Sequence, residues 1–175
     1  MTPPPASPPT APGFWADLTG LSDRWGRTLL YAVLLGRLSL MAVGALLIAV
    51  YGVDSVKSFS GVVREISPLM IFLVVAVAPL VESLMLLIIV LVAGRLLKAH
   101  PAAVAFLSGA LFVPLHGLTP VSLTVLPFFA LMGLIQLNWM RRGRIWPGLL
   151  LVIAIHTVAN ALAVAAALAL GPADL

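Results

Sequence analysis

The sequence predicts an all-α protein, a polytopic transmembrane helix bundle with about five spans. Of the residues, 62% are hydrophobic and only 9% are charged, whereas about a quarter of a soluble globular domain is charged. The apolar residues form long runs, and the run from Ile71 to Val92 is long enough to cross a bilayer as a helix. The charged residues lie in short clusters between these runs, as in membrane proteins.

The first 27 residues differ in composition from residues 28–175, which we assign to a transmembrane domain. Met1 to Gly13 is rich in proline, which is typical of a disordered or polyproline II-like tail. Phe14 to Arg27 combines Trp15 and Trp25 with charged residues. This mixture suits an interfacial helix on the membrane surface.

Five apolar spans follow in order. We expect them from Leu29 or Leu38 to Tyr51, from Pro68 to Gly94, from Pro101 to His116, from the turn at Leu118–Pro120 to Met140, and from Pro147 to Leu170. Proline is well tolerated in the first turn of a helix, where its missing N–H would have no partner. Arg37 interrupts the first span, and we interpret it as a snorkelling arginine near a helix end. Gly52 to Ser67 is expected to be a polar loop or a surface helix.

The basic residues predict an orientation with the N-terminus inside and the C-terminus outside. Eight of them then lie on the inner side and two on the outer side, a clear positive-inside bias. The inner residues are Arg24, Arg27, Arg37, Arg95, Lys98, Arg141, Arg142 and Arg144, and the outer ones are Lys57 and Arg64. Because the net charge of +4 reflects this bias, we expect no nucleic-acid partner. The compact, Ala/Leu-rich chain suits a bacterial inner membrane, and it contains no cysteine for thiol chemistry.

Four polar residues inside the apolar spans form the candidate site: Glu82, His116, His156 and Asn160. A charge at mid-span costs about 2.5–3.5 kcal/mol by insertion scales, so such residues usually have a use. At about 1.5 Å per residue, the three ionisable groups lie at depths of roughly 15 to 22 Å from the inner ends of their spans. We therefore predict that they face one another.

The spacing of these residues suggests their chemistry. His156 and Asn160 are four residues apart and share a helix face, and Phe112 has the same spacing to His116, so its ring can pack beside the imidazole. A carboxylate, two imidazoles and an amide suit water activation and oxyanion binding. Taken singly, an intramembrane histidine or asparagine is often only a hydrogen-bonding residue between helices. Ser83 and Ser108 stay open as nucleophiles, and His100 at a span edge is assigned no role.

Three short motifs carry the candidate residues in order: APLVES at Ala78–Ser83, FVPLH at Phe112–His116 and HTVAN at His156–Asn160. Over about residues 67–170 they resemble the CAAX prenyl endopeptidase and bacteriocin-processing (CPBP, or Abi) family of intramembrane proteases. The family pattern has a pair of glutamates followed by an arginine. This chain has Ser83 in place of the second glutamate and Leu87 in place of the arginine.

The resemblance implies an intramembrane endopeptidase of the glutamic type that needs no cofactor. Glu82 occupies the position of the water-activating glutamate, with His116 holding the same water, and His156 and Asn160 would stabilise the oxyanion. The implied substrate is a peptide bond in a membrane-embedded or lipid-modified C-terminal segment or sorting signal.

Three other interpretations are compatible with the same residues. Glu82, His116 and His156 also form a plausible three-ligand set for catalytic zinc, which would make the protein a zinc-dependent membrane protease. A non-catalytic immunity or scaffold protein of the same fold would account for the changes at Ser83 and Leu87. A proton-coupled transporter would use the same groups as a relay, although the chain has no repeated halves. The oligomeric state is left open.

Overall fold

The computed structural model describes residues 13–52 and 67–170, and within these ranges the chain folds into helices without strands. The helices are α1 (Phe14–Leu18), α2 (Trp25–Tyr51), α3 (Pro68–Leu96), α4 (Pro101–Phe112), α5 (Pro120–Arg141) and α6 (Ile145–Leu170). A 3₁₀ turn, Pro114–His116, follows α4, and α5 begins with a second one, Pro120–Val125. The predictions for the proline-rich tail and for the loop between the first two spans fall on residues 1–12 and 53–66, outside the described ranges.

Four helices, α2, α3, α5 and α6, are long and apolar enough to cross a membrane, which indicates an integral membrane protein with an all-α fold. The third predicted span is shorter: α4 and its 3₁₀ turn together reach only from Pro101 to His116. A helix needs about 20 residues to span the hydrocarbon core. The α-helix ends here because Pro114 has no N–H to donate and Gly117 adopts a positive φ of 112°. The five predicted spans are thus four full spans and one short helix.

The predicted boundaries of the N-terminal part need correction. The expected interfacial helix from Phe14 to Arg27 is broken after Leu18, because Gly20 takes a φ of 72°, a left-handed conformation that ends a helix. The first span begins at Trp25 instead of Leu29 or Leu38. Arg37 therefore lies near the middle of α2, and the prediction that it sits near a helix end is wrong.

The turn between α1 and α2 is attached to the C-terminal end of α5. Arg142 donates to the carbonyl oxygens of Gly20 and Leu21 and, at 3.1 Å, to Asp23 Oδ1. Arg144 pairs with the same carboxylate oxygen at 2.6 Å. The start of α2 and the α5–α6 connection therefore lie at one end of the bundle.

The end of α3 lies at this same end of the bundle. Gly94 and Arg95 share a cavity there with Met140 and Arg141. Most of the basic residues assigned to the inner side are thus at one end, as the predicted orientation requires. The orientation relative to a membrane stays a prediction.

Helices α4 and α5 form a tight antiparallel hairpin because small residues let their backbones approach. A Cβ added at Gly109 would collide with the carbonyl oxygen of Leu126, and one added at Gly133 would collide with the Ser108 side chain. At the C-terminal end of α4, the rings of Phe112 and Phe129 stack with their centroids 3.9 Å apart. The core extends from this hairpin to the buried faces of α3 and α6.

The hairpin contact gives a first prediction. Gly109→Ala should lower the stability of the solubilised protein by about 1–3 kcal/mol, because the new methyl group meets backbone and forces the two helices apart. Gly44→Ala is the matched control, since a Cβ at Gly44 has nothing within 4 Å. Thermal unfolding of both variants in the same detergent measures the difference. Equal midpoints would show that α4 and α5 do not pack as described.

Candidate active site

Glu82 lies midway along α3, where it faces two histidines from other helices. Its Oε2 atom is 3.5 Å from Nε2 of His156 on α6 and 4.0 Å from Nε2 of His116 in the 3₁₀ turn that follows α4. The His156 side chain is only 4% exposed, whereas Glu82 and His116 keep 23% and 30% of their side-chain surface open. The predicted meeting of these three side chains is confirmed, with both imidazoles directed at the same carboxylate oxygen.

The end of α4 fixes the orientation of the His116 ring. The backbone N–H of His116 bonds to Val113 in the 3₁₀ pattern, which leaves the carbonyl oxygen of Phe112 without that α-helical donor. The His116 Nδ1 atom lies 3.0 Å from this oxygen. Because a carbonyl only accepts hydrogen bonds, Nδ1 carries the proton and donates it. In the neutral ring Nε2 is then an acceptor, and it is the atom that faces Glu82.

An aromatic cluster on α5 supports both imidazoles. The ring of Phe129, which is buried, lies 5.5 Å from the His116 ring and 5.3 Å from the His156 ring, centroid to centroid. Phe128 contacts His156 from another side, at 5.5 Å. The expectation that the Phe112 ring packs beside His116 is corrected: that ring stacks on Phe129 instead, and Phe112 meets His116 through its carbonyl group.

Neither Phe128 nor Phe129 was a candidate from the sequence. An apolar span gives phenylalanine no special signal, and only the adjacent pair after Pro127 distinguishes these two residues. Their contact with both histidines follows from the close packing of α4 on α5.

The fourth candidate, Asn160, bonds to the backbone of α3. Its Nδ2 atom donates to the carbonyl oxygen of Val74 at 2.9 Å. Val74 lies in a π-helical segment, Leu73–Val77, in which each carbonyl would accept from the residue five positions ahead, as Leu73 accepts from Ala78. For Val74 that residue is Pro79, which has no N–H. Asn160 thus supplies the donor that the proline of the first motif lacks.

The remaining candidates from the sequence form no hydrogen bond or ion pair with Glu82, His116 or His156 in the described part of the chain. Ser83 and Ser108 are buried, and their hydroxyl groups have no hydrogen-bond partner, so neither is part of a nucleophile–base pair. Leu87 is buried as well. His100, which was assigned no role, is the N-cap of α4 and accepts a hydrogen bond from the backbone N–H of Ala102.

Within residues 13–52 and 67–170, no three His, Asp or Glu side chains are arranged as a ready metal-binding set. The alternative in which Glu82, His116 and His156 bind zinc stays a hypothesis, and the chelation experiment described below tests it. No protein-family model matches the chain, and neither a curated protein nor a solved structure does. The function must be inferred from the side chains and their motifs.

The bond between Asn160 and Val74 gives a second prediction. Asn160→Ala should cost about 1–2 kcal/mol of stability, because it leaves the Val74 carbonyl without its donor in an apolar environment. In a Pro79→Ala background the same change should cost clearly less, since an alanine at that position brings a backbone N–H that can bond to Val74. A double-mutant cycle of thermal unfolding in detergent measures this coupling. Additive effects of the two substitutions would contradict the assigned partner.

Proposed function

We propose that this protein is an intramembrane endopeptidase of the glutamic type, similar in mechanism to the CPBP proteases that its three motifs resemble. The observation that carries the proposal is the convergence of two imidazole Nε2 atoms on one carboxylate oxygen at the middle of α3. An isolated carboxylate in hydrocarbon is costly, and a pair of titratable partners around it is typical of a proton-transfer site.

Glu82 and His116 can hold the attacking water. Their facing atoms are 4.0 Å apart, so one water oxygen can lie at hydrogen-bond distance, about 2.8 Å, from both. The Nε2 atom of His116 accepts one hydrogen of this water, and Glu82 takes the other as the water oxygen attacks the scissile carbonyl. Both side chains keep part of their surface open, while the Oε2 atom of Glu82 is itself buried, so a substrate would approach from the open side of the pair.

The oxyanion that forms in this step needs hydrogen-bond donors. His156 is held rigidly by Phe128 and Phe129, and its Nε2–H would donate to the developing negative charge. Asn160, one turn further along α6, keeps a second amide hydrogen beyond the one given to Val74. Glu82 then passes its proton to the leaving nitrogen, so that one water and one peptide bond become a carboxyl group and an amine.

The location of the site favours a substrate within the membrane. Glu82 lies about 21 Å along α3 from Leu96, and the described residues form no soluble domain that would deliver a soluble peptide. We therefore propose a membrane-embedded or lipid-modified C-terminal segment, or a sorting signal, as the substrate. The Ala/Leu-rich composition and the basic end of the bundle favour a bacterial inner membrane.

Cleavage assays on site variants form the third prediction. Glu82→Gln should lower the cleavage rate by about 10²–10⁴-fold, because it removes the general base. His156→Ala should lower the rate by about 10²–10³-fold, because it removes an oxyanion donor. The assay uses purified protein in proteoliposomes, with membrane proteins encoded beside the gene and quenched-fluorescent peptides with apolar C-terminal segments as substrates.

Two controls and a chelator make the outcome decisive. His100→Asn replaces a histidine outside the site and keeps a helix-capping side chain, and Ser83→Ala removes the buried hydroxyl. Both should cleave at the wild-type rate. Loss of cleavage on chelation with recovery on adding zinc would move the site to the zinc-dependent class. A biological effect that survives Glu82→Gln would instead identify a non-catalytic protein.

A further inference from the structure

Arg37 is a charged residue that the proposed mechanism does not use. It lies about 18 Å along α2 from Trp25, near the middle of the helix and at a depth similar to that of Glu82 and His156. Its Nε atom is buried without a hydrogen-bond partner, and in the described part of the chain no carboxylate lies within ion-pair distance of its guanidinium. A guanidinium kept at this depth without a counter-charge is costly and indicates a function.

The packing of α2 brings the backbone around Arg37 to the aromatic side of the site. The preceding residue, Gly36, lies directly on Phe128: an added Cβ would be only 2.5 Å from Cδ2 of that ring. Phe128 in turn contacts the His156 ring at 5.5 Å. Helix α2 also packs along α6, the helix that carries His156, and along α5, the helix that carries Phe128. The Nδ1 atom of His156 and the Oε2 atom of Glu82 are also buried without a hydrogen-bond partner, so the site has unused hydrogen-bonding capacity.

We propose that Arg37 binds a carboxylate group of the substrate beside His156. The guanidinium presents five N–H donors in a planar fork that matches the two oxygens of a carboxylate. The assignment rests on the proposed function, since the carboxylate belongs to the peptide that is cleaved. It would make Arg37 a specificity residue that selects peptides with an acidic group, above all a free C-terminus, near the cleaved bond.

The depth of Arg37 favours a peptide over a lipid as the source of the anion. The hydrocarbon core is about 30 Å thick, so lipid phosphates lie more than about 15 Å from its centre. A lipid in its normal position would not bring its phosphate to mid-helix. A peptide with apolar residues can carry its terminal carboxylate to this depth, provided that a cation receives it there.

The test is a binding measurement that does not depend on hydrolysis. The protein carries Glu82→Gln, which leaves Arg37 intact and prevents turnover, and is reconstituted in nanodiscs. The probes are three fluorescent pentapeptides of alanine and leucine: one with a free C-terminal carboxylate, one with a C-terminal amide, and one amidated peptide with a single aspartate. Arg37→Gln and Arg37→Lys are compared in the same background, and Arg95→Gln, at an exposed arginine of the bundle end, is the matched control.

We expect the free-carboxylate peptide to bind about 10- to 100-fold more tightly than the amide, as is usual for a charge-assisted hydrogen bond. Arg37→Gln should abolish this preference, Arg37→Lys should keep part of it, and Arg95→Gln should keep all of it. Tighter binding of the aspartate peptide alone would assign the carboxylate to a side chain. Equal binding of the three peptides, or a preference that survives Arg37→Gln, overturns the inference even if the wild-type protein cleaves peptides. Failure of the proposed function would appear separately, as an absence of Glu82-dependent cleavage.

Discussion

The arrangement of the bundle depends on one constraint, the cost of keeping the Glu82 carboxylate at the middle of a membrane-spanning helix. A carboxylate in hydrocarbon requires polar partners, and here they come from two other helices. His116 arrives from the short helix α4, and His156 from α6. To deliver both, α4 must lie close against α5, which the Gly109 and Gly133 contacts permit, and Phe129 must fill the space between the imidazoles. The apolar packing of these helices is therefore what positions the polar side chains of the site.

Irregularities in the helices hold two of the polar residues in place. In α3, the π-helical segment and Pro79 together leave the Val74 carbonyl without a backbone donor, and Asn160 bonds to it. At the end of α4, the change to a 3₁₀ turn frees the Phe112 carbonyl, and His116 bonds to that. An unpaired carbonyl in an apolar environment is costly, so each one strongly orients the side chain that satisfies it. Each irregularity in the backbone thus provides a free carbonyl group that holds a polar side chain of the site in one orientation.

The sequence predicted those features that follow from simple geometry. Because the rise per residue in a helix is constant, counting from the span ends was sufficient to bring Glu82, His116 and His156 together. The prediction that Arg37 lies near a helix end was wrong, since hydropathy does not distinguish an arginine at a helix end from one in the interior of a long helix. The bond of Asn160 could not be foreseen, because it depends on a π-helical register that no residue pattern announces. Phe129 was missed for a similar reason: in an apolar span its type carries no information.

The two positions at which the first motif differs from the CPBP pattern that it resembles are consistent with this packing. Ser83 and Leu87 occupy the positions of the second glutamate and the arginine, and both are buried, with exposed fractions of 1% and 8%. Two opposite charges there would have to pair with each other, and replacing such a buried pair by neutral residues is often neutral or stabilising. Neutral residues at both positions therefore leave no unpaired charge at positions 83 and 87. Arg37 is not equivalent to the arginine of that pattern, because it belongs to α2, where the preceding Gly36 packs on Phe128. In the described part of the chain the ion-pair partners of Glu82 are the two histidines and not Arg37, so Arg37 does not support that carboxylate directly.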